Sequence, residues 1–305
     1  MTTSPSGDQH LLTHGRYRAV VTESGATLRS LTYDGRDLVQ GFAEDRMPSA
    51  GRGQVLMPWP NRIRDGAYTF DGATLQLPLS EPARHNASHG LVRWASWHPA
   101  GEDPVSVTMR YRLMAQAGYP WTLDLACHYA LGDDGLAVTV TATNLAARSA
   151  PFAYGAHPYL TTGSPRVDDD VLALPGATRL LTDDERKLPT GREPVAGSSY
   201  DFREGRPIGD TVLDHAFTDL VRDADGRARV EVRSPAGTGV ELWTDEHFGW
   251  LQAYTGDDQP ADTARTALAV EPMTAPPDAF NSGDDLVVLD PGTTFSASWG
   301  IRGLD

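Results

Sequence analysis

The chain has a single cysteine, Cys127, among its 305 residues. An internal disulfide and a cysteine-based metal site are therefore both excluded. Cys127 lies in a run of alternating apolar residues, so its expected role is packing within a strand. No run approaches the roughly 18 apolar residues of a transmembrane helix, and the first residues lack the basic start and apolar core of a signal peptide. These absences favour a reducing, cytoplasmic setting.

Positive charge is also scarce, with 26 Lys and Arg residues against 41 Asp and Glu and a formal net charge of -15. Affinity for nucleic acids and anionic membranes depends mainly on Lys and Arg, so neither partner is expected. The sequence contains no glycine-rich phosphate loop, no dinucleotide fingerprint and no nucleophilic serine elbow. We therefore expect neither a metal nor an organic cofactor.

Apolar and polar residues alternate along much of the chain, which is the period of half-buried strands. Three such runs (105–113, 121–131 and 136–140), the last two joined by a Gly-Asp-Asp-Gly turn, predict an antiparallel meander. Further strands are predicted at 17–22, 27–33, 229–233, 240–244, 250–254, 267–270 and 294–301.

Long helical patterns and breaks in composition are both absent. The sequence therefore predicts one all-β domain over residues 1–305 with few short helices. We expect about the first ten residues to be disordered. The segment 165–206, rich in Asp, Gly and Pro, is expected to run over the surface as a long irregular excursion.

The stretch 56–90 is the densest candidate for a site that binds a polar ligand. Two prolines restrict the backbone around Trp59, and Asn61 and Arg62 follow directly. A second polar cluster, HNASHG at 85–90, closes the stretch. These amide, guanidinium and imidazole groups suit a polar ligand, although an ordinary polar surface loop would have a similar composition.

Three titratable residues elsewhere lie where chemistry is possible. His157 follows small residues and precedes a proline, and an imidazole there is either a structural group or a general acid. Asp214 lies between apolar residues, where it either caps a turn or contacts a ligand. Glu271 follows four apolar residues and precedes Pro272, which is expected to halt the strand. A carboxylate at the end of a buried strand is costly unless it is paired or functional.

Taken in order, these motifs resemble the aldose 1-epimerase (galactose mutarotase-like) family over nearly the whole chain. The matching segments are NRIRDGAYTFDG at 61–72, HNASHG at 85–90, GAHPYL at 155–160, LPTG at 188–191, LDHAF at 213–217, LQAYTG at 251–256, VEPMTAPPDAFN at 270–281 and LDPGTTF at 289–295. The resemblance implies a β-supersandwich, a large twisted antiparallel sandwich with the sugar on a concave face. It also implies cofactor-free interconversion of the α and β anomers of a free aldohexose.

The resemblance implies a role for each candidate residue. Glu271 would be the general base at the C1 hydroxyl, and His157 would be the general acid at the ring oxygen. The positions that would hold the sugar hydroxyls are Asn61, Arg62, His89, Asp214 and Gln252. Each proton carrier must serve in both protonation states, so a bell-shaped pH profile is expected. The expected partner is a small monosaccharide, and the chain is expected to be a monomer or a weak homodimer.

Two segments depart from the best-known members, Pro58-Trp59-Pro60 and Leu91-Val92-Arg93-Trp94. They leave the preferred sugar open, galactose and glucose included. Three other functions also stay open. The first is a catalytically silent sugar-binding or regulatory protein of the same fold. The second is a glycosidase that uses Asp214 and Glu271 as its carboxylate pair. The third is an epimerase of a modified or phosphorylated sugar, for which the cations near the motifs are Arg62, Arg64, Arg84 and Arg93.

Overall fold

The computed structural model describes residues 3–305, which are 48% strand and 3% helix. The strands are β1 Gln9–His14, β2 Tyr17–Thr22, β3 Leu28–Tyr33, β4 Arg36–Asp37, β5 Val55–Leu56, β6 Arg62–Arg64, β7 Ala67–Phe70, β8 Ala73–Gln76, β9 Asn86–Ser88, β10 His98–Glu102, β11 Ser106–Leu113, β12 Leu123–Gly132, β13 Gly135–Asn144, β14 Ala150–Phe152, β15 Gly155–Ala156, β16 Tyr159–Leu160, β17 Val171–Ala173, β18 Gly176–Thr182, β19 Pro189–Pro194, β20 Arg206–Pro207, β21 Asp214–Leu220, β22 Ala228–Arg233, β23 Gly239–Thr244, β24 Trp250–Tyr254, β25 Leu268–Met273, β26 Val287–Leu289 and β27 Thr294–Leu304. The helical parts are the 3-10 turns Pro82–Arg84 and Val167–Asp169 and the short helix α1, Ala279–Ser282. The predicted all-β class is confirmed.

Two large antiparallel sheets form the body of the molecule. The nine-stranded sheet has the order β10-β11-β12-β13-β27-β23-β22-β17-β20. The eight-stranded sheet has the order β19-β18-β21-β24-β25-β15-β5, and β16 also pairs with β25. Strands β1 to β4 form a smaller sheet, and β6-β9, β7-β8 and β14-β26 are two-stranded ribbons. No helix in the described part of the chain is long and apolar enough to cross a membrane.

Strand β12 shows how the alternation of the sequence builds the core. Its buried residues are Leu123, Leu125, Cys127, Tyr129 and Leu131, and the residues between them are partly exposed. Fully burying one such leucine contributes about 1.5–3 kcal/mol relative to leaving it exposed. The predicted packing role of Cys127 is confirmed, because the free thiol lies in this core. The predicted meander is also confirmed as β11-β12-β13, with Gly132 paired to Gly135 across the turn.

The seven other predicted strands are present, and most of their ends agree within one residue. The clearest difference is β25, which continues past Glu271 to Met273, so the prediction that Pro272 halts the strand is wrong. The N–H of Val270 donates to the carbonyl of Pro158, and position 272 faces the same side of β25. On that side the pairing is interrupted between β15 and β16. Pro272 therefore removes no necessary hydrogen bond.

The segment 165–206 is not the irregular excursion that its composition predicts. β17 and β20 extend the nine-stranded sheet, and β18 and β19 form an edge of the eight-stranded sheet. Leu174, Leu188 and Phe202 are fully buried. The strands are short and separated by Asp, Gly and Pro, which hides the period-two pattern.

At the other end of the chain, the predicted disorder does not extend to Gln9 and His10. These residues open β1 and pair with β2. Residues 1 and 2, which belong to the same predicted tail, lie outside the described residues.

The eight-stranded sheet presents two different faces. Leu251, Ala253 and Val270 belong to the same apolar cluster as the buried side of β12. Because side chains alternate along a strand, Gln252 and Glu271 project from the opposite face. That face carries the candidate site.

Candidate active site

The register of the eight-stranded sheet aligns three of the predicted site residues in one row. Gln252 on β24 is directly opposite Glu271 on β25. Strands β15 and β16 pair with β25 on either side of His157, so the same register sets His157 opposite Glu271. Directly opposed residues of an antiparallel pair project from the same face. The row Gln252–Glu271–His157 is therefore a product of strand pairing between distant parts of the chain.

His157 and Glu271 are in contact across this row. The imidazole Nε2 lies 3.3 Å from Glu271 Oε1, and the two residues are 5% and 3% exposed. Burial disfavours charge on both groups. It lowers the pKa of His157 to about 3 and raises the pKa of Glu271 well above its usual value.

Charges near Glu271 act on its pKa in opposite directions. After burial, the carboxylate of Asp214 is the next contribution that raises the pKa, and the guanidinium of Arg62 lowers it. Asp214 accepts a hydrogen bond of 2.9 Å from Gln252 Nε2, and Lys187 Nζ lies 3.9 Å from its other oxygen. Two of the predicted binding residues, Asp214 and Gln252, thus hold each other in place.

The ribbon β6-β9 supplies the other predicted residues. Asn61 and Arg62 stand at the start of β6, and His89 follows the end of β9. Asn61 and His89 both adopt left-handed backbone conformations, with φ of 51° and 60°, and the N–H of His89 donates to the carbonyl of Asn61 at 2.8 Å. Nδ1 of His89 is buried without a hydrogen-bond partner among the described residues. The reversals at the two ends of the ribbon bring Asn61 and His89 side by side.

Glu81 is a residue of the site that the sequence analysis missed. Its carboxylate accepts two hydrogen bonds from Arg62, Nε to Oε2 at 2.7 Å and Nη2 to Oε1 at 3.0 Å. Arg84 Nη1 donates to the same Oε1 at 3.0 Å. A two-bonded arginine–carboxylate pair fixes the plane of the guanidinium. Glu81 lies inside the polar stretch 56–90, but nothing in its local sequence distinguishes it from a surface acid.

Tyr159 and Arg52 form a second layer behind His157, also missed. The rings of Tyr159 and His157 stack with centroids 5.2 Å apart and an interplanar angle of 12°. The guanidinium of Arg52 lies 4.5 Å from the centroid of the Tyr159 ring and donates to Gln40 and Gln259. Arg52 is 4% exposed, and after burial its charge helps to lower the pKa of His157. The motif GAHPYL contains Tyr159, so the tyrosine could have been predicted as a site residue from the sequence. Arg52 lies in no motif that would have indicated it.

All seven predicted site residues line one pocket of about 290 Å³. This volume is near the lower end of the range of roughly 300–1,000 Å³ for small-molecule sites, so it suits a small ligand. The other lining residues are Pro48, Ala50, Gly51, Ser80, Glu81, Arg84, Ser88, Arg93, Trp94, Tyr159, Tyr254 and Asp258. The pocket thus combines a buried acid–base pair with amide, guanidinium and aromatic groups, which can bind hydroxyls and exchange protons with them.

One group of side chains outside this pocket has the geometry to hold a metal. Asp245, Glu246 and His247 bring their ligand atoms within 4.8 Å of one another in a turn. The carboxylate of Asp245 already accepts hydrogen bonds from the backbone N–H groups of His247 and Ser298. Both oxygens of Asp245 thus already accept hydrogen bonds from the protein.

Comparison with known proteins identifies a family match that covers almost the whole chain. The family model for aldose 1-epimerase matches residues 8–302. The uncharacterized protein YihR of Escherichia coli (strain K12) is 35% identical over 300 residues, which cover 98% of this chain and 94% of that protein. The aldose 1-epimerase of the same organism is 27% identical over 83% of this chain and 78% of its own length.

Solved structures share the fold. The crystal structure of an aldose epimerase homologue from C. elegans has a TM-score of 0.85 at 21% identity, covering 98% of this chain and 99% of that one. A galactose 1-epimerase from Lactobacillus acidophilus NCFM has a TM-score of 0.78 at 20% identity, covering 100% and 98%. The architecture is therefore the β-supersandwich that the sequence predicts.

Proposed function

The chain belongs to the aldose 1-epimerase family, and from that premise we propose that it interconverts the α and β anomers of an aldohexose. The observation that carries the proposal is the contact of 3.3 Å between His157 and Glu271 in a buried pocket lined by hydrogen-bonding groups. The two oxygens that exchange protons in this reaction, O1 and the ring oxygen, are bonded to the same carbon. An acid and a base in direct contact can therefore reach both.

In the proposed mechanism, Glu271 takes the proton of the C1 hydroxyl while His157 donates a proton to the ring oxygen. The bond from C1 to the ring oxygen breaks and a carbonyl forms at C1. Rotation about the C1–C2 bond presents the other face of the carbonyl. In ring closure, His157 recovers its proton from the C5 hydroxyl and Glu271 returns one to O1, so every proton is accounted for.

Burial affects the relative energy of the two protonation states that this mechanism uses. When the ring is open, Glu271 carries the proton and His157 is neutral, and this is the state that burial favours for both groups. Burial thus stabilises the protonation state of the open-chain intermediate relative to the charged pair from which ring opening starts. Hydrogen bonds between the sugar hydroxyls and Asn61, Arg62, His89, Asp214 and Gln252, with Asp214 as acceptor, would hold the open-chain sugar during the rotation.

Polarimetry tests this proposal directly. Freshly dissolved α-D-glucose and α-D-galactose are followed with the wild type, Glu271→Gln and Glu246→Gln, an exposed carboxylate outside the pocket. We expect the wild type and the control to speed equilibration and Glu271→Gln to be slower by about 10²–10⁴-fold. A wild type that binds sugar without any acceleration would instead support the silent binding protein. If Glu271→Gln remains as fast as the wild type, Glu271 is not the base.

The pH dependence of kcat/KM provides a second prediction. The pair needs one shared proton. At low pH the pair takes up a second proton and activity falls. Because the pKa of His157 is lowered, this fall is expected well below pH 6.5. At high pH the pair loses its last proton and activity falls again. Because the pKa of Glu271 is raised, this fall is expected well above pH 4.5. We expect a bell-shaped profile whose acid limb lies well below pH 6.5, and a rate that falls at neither pH extreme would contradict the two-group mechanism.

A further inference from the structure

Three arginines line the pocket, and one of them differs from the other two. Arg62 and Arg84 both donate to the carboxylate of Glu81. Arg93 has no carboxylate within 4.0 Å and no side-chain hydrogen bond among the residues that the structure describes. The charge of Glu81 acts on Arg93, but its carboxylate already accepts hydrogen bonds from the other two arginines. Among the described pocket residues, Arg93 is therefore the arginine whose side-chain donors have no partner within the protein.

Arg93 is held in position by its backbone rather than by its side chain. Its carbonyl accepts a hydrogen bond of 3.0 Å from Gln54 Nε2, and the residue is only partly exposed. Its guanidinium lies 5.5 Å from the ring centroid of Trp94, which is 52% exposed. A neutral sugar is well served by amides and hydroxyls, whereas an unpaired guanidinium with its fork of donors is suited to an oxyanion.

The location of Arg93 indicates which part of the sugar it would contact. The Arg93 carbonyl accepts a hydrogen bond from Gln54 Nε2, and the Gln54 carbonyl accepts one of 3.1 Å from the backbone N–H of His157. Gln252 and its partner Asp214 lie on the other side of Glu271, on β24 and β21. Arg93 is thus on the His157 side of the acid–base pair. In the proposed mechanism His157 serves the ring oxygen, which is bonded to C5, and C5 carries C6.

We propose that the substrate is an aldohexose with an oxyanion at C6, and that Arg93 binds this group. The inference rests on the proposed function and names the substrate class of the same site. A carboxylate, a phosphate and a sulfate share the chemistry that the guanidinium fork recognises. The chain carries a formal net charge of -15, which repels anions in general. The guanidinium of Arg93 would offset this repulsion within the pocket.

The test compares four sugars: glucose, glucuronate, glucose 6-phosphate and glucose 6-sulfate. Anomer exchange is followed by NMR at equilibrium, with the uncatalysed rate subtracted, for the wild type, Arg93→Gln, Arg93→Lys and Arg110→Gln. Arg110 is a matched control, an exposed arginine on β11 with no carboxylate within 4.0 Å in the described chain. The readout is the ratio of kcat/KM for each anionic sugar to kcat/KM for glucose.

We expect the wild type to prefer at least one anionic sugar by about tenfold or more, since a hydrogen-bonded charge pair has this magnitude. Arg93→Gln should reduce that ratio by about 10–100-fold, Arg93→Lys by less, and Arg110→Gln should leave it unchanged. The ranking of the three anions identifies the oxyanion. A wild type that acts on glucose with no preference for any anion overturns this inference and leaves the proposed function standing. A preference that survives Arg93→Gln overturns the assignment to Arg93, and a wild type inactive on all four sugars and on galactose overturns the proposed function itself.

Discussion

Strands β12 and β25 lie in the two large sheets, and they differ in how deeply their two faces are buried. On β12, buried and partly exposed residues alternate strictly over ten residues. On β25, all six residues are buried, and Glu271 is among them. Strand β12 separates the core from solvent, and strand β25 separates the core from the polar pocket.

The difference separates residues that stabilise the fold, on β12, from a functional residue on β25 whose burial destabilises it. The apolar face of β12 contributes to stability in proportion to the area that it buries. The outward face of β25 buries an ionisable group, and Oε2 of Glu271 has no hydrogen-bond partner among the described residues. Such a group destabilises the fold and is retained where chemistry needs it. Substitutions on the two strands should therefore separate stability from activity.

Glu271→Gln should give the largest change and should move activity and stability in opposite directions. The pKa of Glu271 is raised in the folded protein, so the stability that its bound proton provides is fully present below about pH 4.5 and is lost as the pH rises towards the folded pKa. Glutamine has no proton to lose. We expect the variant to be more stable than the wild type at pH 8, by on the order of 1–3 kcal/mol, with activity lost. Denaturant unfolding at pH 5 and pH 8 measures the difference, and equal stabilities at pH 8 would contradict it.

Leu125→Ala on β12 should show the opposite behaviour. Removing a fully buried leucine side chain from a packed core costs about 2–5 kcal/mol of unfolding free energy. Activity per folded molecule should be retained, because the nine-stranded sheet contributes no residue to the row that contains Glu271. Thr141→Ala, on the partly exposed face of β13, is the control and should change stability by less than about 0.5 kcal/mol. Loss of activity in folded Leu125→Ala would show that the two sheets are coupled.

Gly51→Ala tests how tightly the pocket wall at Gly51 packs against His157. A Cβ at Gly51 would lie 2.7 Å from His157 Cδ2, and the backbone φ is +78°. We expect kcat/KM to fall by about 10–100-fold, because displacing a catalytic group by about 1 Å has effects of this size. Gly72→Ala is a matched control, with φ of +73° and no atom within 4 Å of the added carbon. Both variants should lose stability through backbone strain, but only Gly51→Ala should lose activity.

Glu81→Gln should have the smallest effect and should act on binding. The variant keeps a hydrogen-bonding partner for Arg62 but removes the negative charge that fixes the orientation of the Arg62 guanidinium. We expect KM to rise by about 3–10-fold with little change in kcat. Glu193→Gln alters another arginine–glutamate pair, with Arg179, outside the pocket and should leave KM unchanged. A fall in kcat alone would place Glu81 in the chemical step instead.

The sequence by itself determined the fold class and the composition of the candidate site. Period-two alternation is a local property, so β11, β12 and β13 could be predicted from their residues. The family motifs pointed to the seven predicted site residues, all of which line the pocket. The short strands β17 to β20 could not be predicted, because they are stabilised by their neighbours in the sheets rather than by a pattern of their own.

Only the tertiary structure decided which groups meet. The register that sets His157 opposite Glu271 and the pairing of Glu81 with Arg62 both join residues that are apart in the sequence. The same holds for Arg93, which is distinguished from Arg84 only by the carboxylate that it lacks. Register, burial and the count of charged neighbours are properties of packed strands, and a single segment of sequence does not contain them.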